Sequence, residues 1–264
     1  MKIDWLINLL LKNLHKKTTH SHTKATTALN SKEWHKLLAT GKSVRALVEK
    51  IKDNRLPEWS KPLLQHSSAA DSTLELGSGT GEISAILAIY GRKAHLLDFS
   101  EESIEFTKQL FKELKISGYF YVQDVLEGIP MKPNSIDWVW SSGLLEHFSD
   151  EELSHIMAES YRVCKKGVMS LVPNANSLFY RISKFRMEQE GTWPYGREIP
   201  KFTMRDFFKD TGLKNIVEYS IGIDDSIWLW GSDKKEIMGF FDSLSIEELQ
   251  KLNQGYLLFT YGEK

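Results

Sequence analysis

The run Leu74-Glu75-Leu76-Gly77-Ser78-Gly79-Thr80-Gly81-Glu82 constrains this chain more than any other stretch. An apolar strand ends in three glycines within five residues, and a helix pattern opens at Glu82. Glycine weakens regular elements, so its density here marks a backbone that must turn tightly and let a ligand approach. The helix that follows directs its free N–H groups and positive dipole end back at the turn. A nucleotide-type ligand at the tip of a first strand is the expectation.

The chain after the turn alternates short strands and helices. Strands are expected over residues 73–76, 94–97, 119–122, 136–140, 167–172, 216–221 and 256–261. Helices are expected over 81–90, 100–114, 150–163, 174–190, 203–211, 233–241 and 245–252. This rhythm predicts an α/β fold: a Rossmann-like, doubly wound, mostly parallel seven-stranded sheet with helices on both faces. Ligand loops then gather at the carboxyl edge of the strands. The long segment between the last two strands reads as a cap insertion. The expected division is an N-terminal helical extension over residues 1–66 and a catalytic domain over 67–264, with lid segments 174–200 and 223–254. Within the extension, helical periodicity runs over 3–14 and again over 31–51, the second capped by Ser31.

At 264 residues, 41% of them hydrophobic, the chain can bury a substantial core. One cysteine, Cys164, forbids an internal disulfide and fits a reducing compartment. Asp4 and Asn8 interrupt any signal-peptide core, so a cytoplasmic location is expected. Residues 1–66 carry 13 Lys/Arg against 5 Asp/Glu, whereas the remainder carries 21 against 30. Such a basic front end can meet an anionic partner or dock on the acidic body. Residues 1–17 in particular suit either an anionic membrane surface or a place over the active site. His20 and His22 have no carboxylate or cysteine nearby to complete a metal site.

Asp98 stands 21 positions after Gly77 at the tip of the second strand, where a carboxylate can accept both ribose hydroxyls. Asp124, at the tip of the third, can accept from an adenine amino group. The dinucleotide fingerprint would need a third glycine where Glu82 stands. Glu75 would repel a pyrophosphate but attract an amino-acid ammonium. A ligand with an adenosine end and an ammonium- and sulfonium-bearing end satisfies both conditions.

Residues 72–172 resemble a class I S-adenosylmethionine-dependent methyltransferase of the type 11 kind. The E-x-G-x-G-x-G run (Glu75, Gly77, Gly79, Gly81) matches the family's first motif, and Ser78 lies within it. Asp98 matches the ribose acid, with Phe99 beside the adenine. Asp124 and Val125 match the adenine-edge pair. Residues 135–140 match the fourth strand, and Ser141-Ser142 its cofactor-side tip. Arg162 to Gly167 resemble the turn into the fifth strand, with Lys166 in place of the usual proline. The resemblance implies S-adenosyl-L-methionine as cofactor, bound by Glu75, Gly77, Ser78, Gly79, Gly81, Asp98, Phe99, Asp124, Val125 and Ser141.

For the acceptor side, His147 in Leu144-Leu145-Glu146-His147-Phe148 is the candidate general base, with a structural role as the alternative. The ubiquinone-pathway O-methyltransferases resemble this stretch and use E-x-x-E-H around a metal ion. Gly143 replaces their first glutamate, so no metal is expected. Asn174, Tyr180, Trp193, Tyr195 and Arg197 are candidate substrate contacts, with Asn176 and Glu198 in the same acceptor-side stretch, and its aromatics and charged pair would equally suit a packed lid. The expected activity is methyl transfer to a small-molecule or glycan-type polar acceptor, by O-methylation. An inactive cofactor-binding partner subunit is the alternative. A nucleic-acid methyltransferase is disfavoured, because Ser141-Ser142-Gly143-Leu144 stands where base-modifying enzymes carry an N-P-P-Y type tetrapeptide.

Overall fold

The structure is a computed structural model that describes residues 33, 34, 36, 43–230 and 234–264. The periodic segment 3–14, the membrane-surface candidate 1–17, and His20 and His22 lie outside the described residues.

Two helices, α1 (Val44–Lys52) and α2 (Ser60–His66), precede the sheet. The elements that follow are β1 (Ser72–Leu76), α3 (Glu82–Ile89), β2 (Lys93–Asp98), α4 (Glu101–Leu114), β3 (Gly118–Val122), β4 (Ile136–Ser142), α5 (Asp150–Val163) and β5 (Cys164–Pro173). The chain continues through α6 (Leu178–Glu190), α7 (Arg205–Asp210), β6 (Lys214–Ile221), α8 (Ile223–Trp230), α9 (Lys234–Asp242), α10 (Ile246–Leu252) and β7 (Leu257–Glu263). The seven strands form one sheet in the order β3-β2-β1-β4-β5-β7-β6. Pairing is parallel from β3 to β5, and β7 runs antiparallel to both β5 and β6. The order reverses between β1 and β4, where an open α/β sheet leaves a crevice above the strand tips.

Both faces of the sheet are covered. Leu74, Leu76 and Val139 pack against Leu153 and Ile156 of α5 and Phe208 of α7. On the opposite face Ala94 and Leu96 pack with Ile86, Leu110 and Phe111, and also with Leu47 and Ile51 of α1. Each such fully buried Leu, Ile or Phe side chain stabilises the fold by roughly 1.5–3 kcal/mol. Thus α1 shares the core of α3 and α4.

Local chemistry sets the helix starts. Ser149 Oγ accepts from the Glu152 N–H, and Glu152 Oε2 accepts from the Ser149 N–H, a reciprocal box at the start of α5. Ser100 caps α4 by accepting from Ser103. The helix expected over 31–51 is not continuous: Ser43 is extended (φ −94°, ψ 153°) and its side chain accepts from the Ala46 N–H, starting α1 anew. Residues 174–177 also differ from the expected helix, because Ser177 caps α6 and Leu178 is its first residue. The expected turn between Arg162 and Gly167 is a strand instead. Cys164 leaves α5 directly in extended geometry (φ −75°, ψ 152°) and pairs with Ile136. With no glycine or proline to impose a turn there, burial of Cys164 against β4 decides the path.

The cap insertion contains α8 as well as the two helices expected, α9 and α10. It is latched to the segment after β5. Asn174 Nδ2 donates to the carbonyls of Asn253 and Gly255, and the Leu178 N–H donates to Gln254 Oε1. Phe179 and Phe241 meet edge to face at 5.5 Å inside a small separate core. The two lid segments therefore form one unit. Among the described residues, no helix is long and apolar enough to cross a membrane.

Candidate active site

The glycine turn closes on the second strand. Gly77 and Ser78 both donate backbone N–H bonds to the Leu97 carbonyl, at 2.9 and 3.1 Å. The Gly79 N–H donates to Asp98 Oδ2 at 2.8 Å, and the Ser100 N–H to Asp98 Oδ1 at 2.9 Å. Asp98 is buried, so these bonds aim its carboxylate along the rim of the crevice. Gly77, Gly79 and Gly81 all have positive φ, at 66°, 53° and 67°. Two of them also answer to packing. A Cβ on Gly81 would sit 2.3 Å from Thr107 Cγ2, and one on Gly77 would sit 2.8 Å from Leu144. Leu144 belongs to the segment after β4, so the glycine turn touches the segment that carries Glu146 and His147.

Glu75 is buried on β1, and its Oε2 accepts from Ser84 Oγ at 2.5 Å. Burial pushes its carboxyl well above the usual range, against the Ser84 hydrogen bond, and the nearby Asp98 charge adds to the rise. A cationic group arriving beside it would restore the ionised form. Ser78 Oγ is buried without a hydrogen-bond partner. Ser141 is buried at the end of β4, in register with Leu76. Asp124 caps a short turn (Val125–Glu127) by accepting from the Leu126 N–H at 2.9 Å. Val125 is buried and Phe99 is 42% exposed. An orphaned hydroxyl, a rim carboxylate and an exposed ring above the turn fit an adenosine-bearing cofactor.

A second group of side chains gathers at the turn that follows Leu144. The turn Leu145–His147 presents Glu146 and His147. His147 Nδ1 lies 2.8 Å from the Arg197 carbonyl. A carbonyl only accepts, so Nδ1 carries the proton and Nε2 keeps its lone pair in the neutral ring. Burial lowers the His147 pKa, partly offset by this bond, which favours that neutral ring. Nε2 faces Glu146 Oε1 at 3.7 Å. The ring of Trp34 meets His147 edge-on at 4.8 Å, so part of the N-terminal extension lies on the site.

Glu198 completes the group. Tyr180 Oη donates to its Oε2 at 2.5 Å, and Lys184 Nζ lies 3.8 Å from the same oxygen. Burial raises the Glu198 pKa to about 7, against the Tyr180 bond and the Lys184 charge. Burial, and then the Glu198 charge, push Glu146 well above its ordinary range. Tyr180 and Tyr256 meet edge to face at 5.5 Å, as do Trp193 and Tyr195 at 5.3 Å. Glu146 Oε2 and Trp193 Nε1 are buried with no hydrogen-bond partner. A buried acceptor or donor left without a partner is costly unless a ligand meets it.

Of the residues expected on the acceptor side, Tyr180, Trp193 and Tyr195 gather around Glu198, and Arg197 contributes its carbonyl. The Asn174 N–H donates to the Tyr256 carbonyl at 2.8 Å, and its side chain is engaged elsewhere. Its Nδ2 holds the second lid segment and its Oδ1 accepts from the Asn176 N–H at 3.0 Å. These bonds make Asn174 a link between segments 174–200 and 223–254. Tyr256 and Trp34 were not among the expected site residues, whereas Glu146 was expected as part of the Glu-His pair and Glu198 as the acidic partner of Arg197. Trp34 and Tyr256 carry no local motif. Glu146 sits beside the expected histidine, and Glu198 lies in the same Trp-x-Tyr-x-x-Glu run as Trp193 and Tyr195.

A family model described as a methyltransferase domain matches residues 73–167. Over that stretch the chain is similar to methyltransferase domains. Solved structures agree in fold. A Haloferax volcanii protein in complex with the Trm112 methyltransferase activator superimposes with a TM-score of 0.57 at 20% identity, over 89% of this chain and 99% of that one. A Thermotoga maritima protein described as a SAM-dependent methyltransferase, possible histamine N-methyltransferase, gives 0.52 at 16% identity, over 88% and 93%. A Haemonchus contortus phosphoethanolamine-type N-methyltransferase, solved with phosphomonomethylethanolamine and S-adenosylhomocysteine, gives 0.52 at 15% identity, over 78% and 52%. No curated protein sequence matches the chain.

Proposed function

We propose that this methyltransferase acts on a small polar acceptor enclosed between the rim of the glycine turn and the paired lid segments, with oxygen as the methylated atom. The observation that carries the reading is that Glu146 Oε2 and Trp193 Nε1 are buried without hydrogen-bond partners, which a polar ligand would satisfy.

S-adenosylmethionine supplies an electrophilic methyl group on a sulfonium. The residues proposed to hold it are Glu75, Gly77, Ser78, Gly79, Gly81, Asp98, Phe99, Asp124, Val125 and Ser141. Asp98 can accept the ribose hydroxyls while its backbone bonds keep it in place, and Asp124 keeps its second oxygen for an adenine amino group. The Glu75 carboxyl offers a partner for the amino-acid ammonium. The lids exclude water, and their joint core keeps them together as one cover. His147 Nε2 is the proposed proton acceptor for an acceptor hydroxyl, because Nδ1 is committed to Arg197. The proposed domain division keeps residues 1–66 as an extension that covers the sheet through α1 and reaches His147 through Trp34. The single buried cysteine supports a reducing, cytoplasmic location.

Isothermal titration with S-adenosylmethionine tests the cofactor side. Wild-type protein should bind it and Gly79→Arg should not. Equal binding by the two proteins would overturn the assignment of the turn. Production of S-adenosylhomocysteine with a polar acceptor separates an active enzyme from an inactive partner subunit.

A further inference from the structure

We propose that Ser84 is a positioning residue for the amino-acid end of the cofactor: its hydroxyl holds the Glu75 carboxylate in the place where the ammonium meets it. The proposal rests on the reading of Glu75 as the ammonium partner, and it adds the residue through which that carboxylate is set.

Glu75 lies on β1 and Ser84 in the first turn of α3, on opposite sides of the glycine turn. Ser84 Oγ donates to Glu75 Oε2 at 2.5 Å. Ser84 is fully buried and Glu75 is 5% exposed. The hydroxyl does not serve its own helix. Ser154 and Ser160 in α5 each spend theirs on the carbonyl four residues earlier, of Asp150 and Ile156. Ser84 instead reaches a side chain nine residues back, in another element. Its neighbours in α3 are Ile83, Ala85, Ile86 and Leu87, all buried, so alanine would fill the same space. A buried hydroxyl in such a stretch costs free energy unless a partner meets it, and Glu75 is that partner.

The charges around Glu75 explain why it needs holding. Asp98 on β2 and Glu82 at the start of α3 both repel its ionised form. Lys50 of α1 is spent on Glu82, at 2.6 Å. The residues in register with Glu75 on the flanking strands, Leu96 on β2 and Trp140 on β4, carry no charge. Among the described residues Glu75 forms no ion pair. Burial favours its neutral form, whereas the Ser84 hydroxyl and backbone N–H favour the ionised one. Tying Oε2 of a long side chain to a helix turn also restricts its torsions before the ligand arrives, which leaves Oε1 for the ammonium. As the ammonium binds, the Glu75 proton leaves to solvent. Binding of this end of the cofactor therefore strengthens as the pH rises.

The test is calorimetric titration of the full chain with two ligands that share an adenosine end. S-adenosylhomocysteine carries the amino-acid ammonium, and 5′-methylthioadenosine does not. Ser84→Ala should weaken S-adenosylhomocysteine at least about tenfold at neutral pH and leave 5′-methylthioadenosine within about threefold, which also reports that the turn is folded. The loss should shrink as the pH is raised, because alkali ionises Glu75 without help from the hydroxyl. Glu75→Gln should weaken S-adenosylhomocysteine likewise. Adding Ser84→Ala to it should cost no further affinity, since Ser84 acts through Glu75. Equal weakening of both ligands by Ser84→Ala, unchanged S-adenosylhomocysteine affinity, or a full second loss in the double variant would overturn the assignment and leave Ser84 as a packing residue. If Glu75→Gln binds S-adenosylhomocysteine as wild type does, the fault lies instead in the reading of Glu75 as the ammonium partner. If wild-type protein binds neither ligand, it lies in the cofactor reading itself.

Discussion

His147 and Arg197 are fifty residues apart in sequence and joined by one hydrogen bond, from Nδ1 to the carbonyl oxygen at 2.8 Å. That bond ties the turn after β4 to the first lid segment. It also fixes the tautomer of the imidazole, so the nitrogen left for chemistry is Nε2. Position and protonation of one side chain are thus set by a backbone atom of the lid.

The two roles of His147 can be separated. His147→Ala removes both the bond and the proton acceptor, and turnover should fall about 10²–10⁴-fold, the usual span for a general base. Cofactor affinity measured by calorimetry should stay within a factor of about three, since a change of that size is under 1 kcal/mol. His147→Asn can still donate to the Arg197 carbonyl but cannot take the proton. It should therefore be as slow as the alanine variant while keeping wild-type lid protection in hydrogen exchange. Recovery of turnover in His147→Asn would assign the residue to lid positioning.

The pH dependence of stability has a defined sign at Glu198. Its pKa is raised, to about 7 from an ordinary 4.5, chiefly by burial. The folded state therefore holds the proton more tightly than the unfolded chain. Glu198 contributes stability that is fully present below pH 4.5 and is lost as the pH rises through 7. Glu198→Gln mimics the neutral form, so the variant should match wild type near pH 4.5 and exceed it above pH 7, by up to about 3 kcal/mol. Urea denaturation at both ends of that range reads the difference, and a constant offset would show that Glu198 is ionised throughout.

Gly81 should be the least replaceable of the three turn glycines. Alanine there combines φ +67° with a Cβ 2.3 Å from Thr107 Cγ2, and Thr107 is fully buried. Left-handed backbone and forced overpacking each cost about 1–3 kcal/mol. Gly81→Ala should lower the denaturation free energy by at least about 2 kcal/mol, and Gly81→Ala with Thr107→Ser should regain part of that. A neutral Gly81→Ala would mean that α4 yields easily, contrary to its tight fit against the turn.

The sequence by itself determined the sheet. Leu74 to Gly81, the acids at Asp98 and Asp124, and the capping serines Ser100 and Ser149 act over a few residues, so local periodicity and turn chemistry show strand tips and helix starts directly. Tyr180, Trp193 and Tyr195 were legible as one aromatic group because they follow the fifth strand within a short stretch. What tertiary structure decided was long-range partnership. Asn174 became a latch because Asn253 and Gly255 return to it about eighty residues later. Gly77 and Gly81 acquired packing reasons only when Leu144 and Thr107 came against them. Glu146, His147 and Glu198 converge because the lid folds back over the turn after β4. No periodicity encodes such meetings. They follow from closing long loops, and their free energy comes from burial and from polar atoms that find, or still lack, a partner.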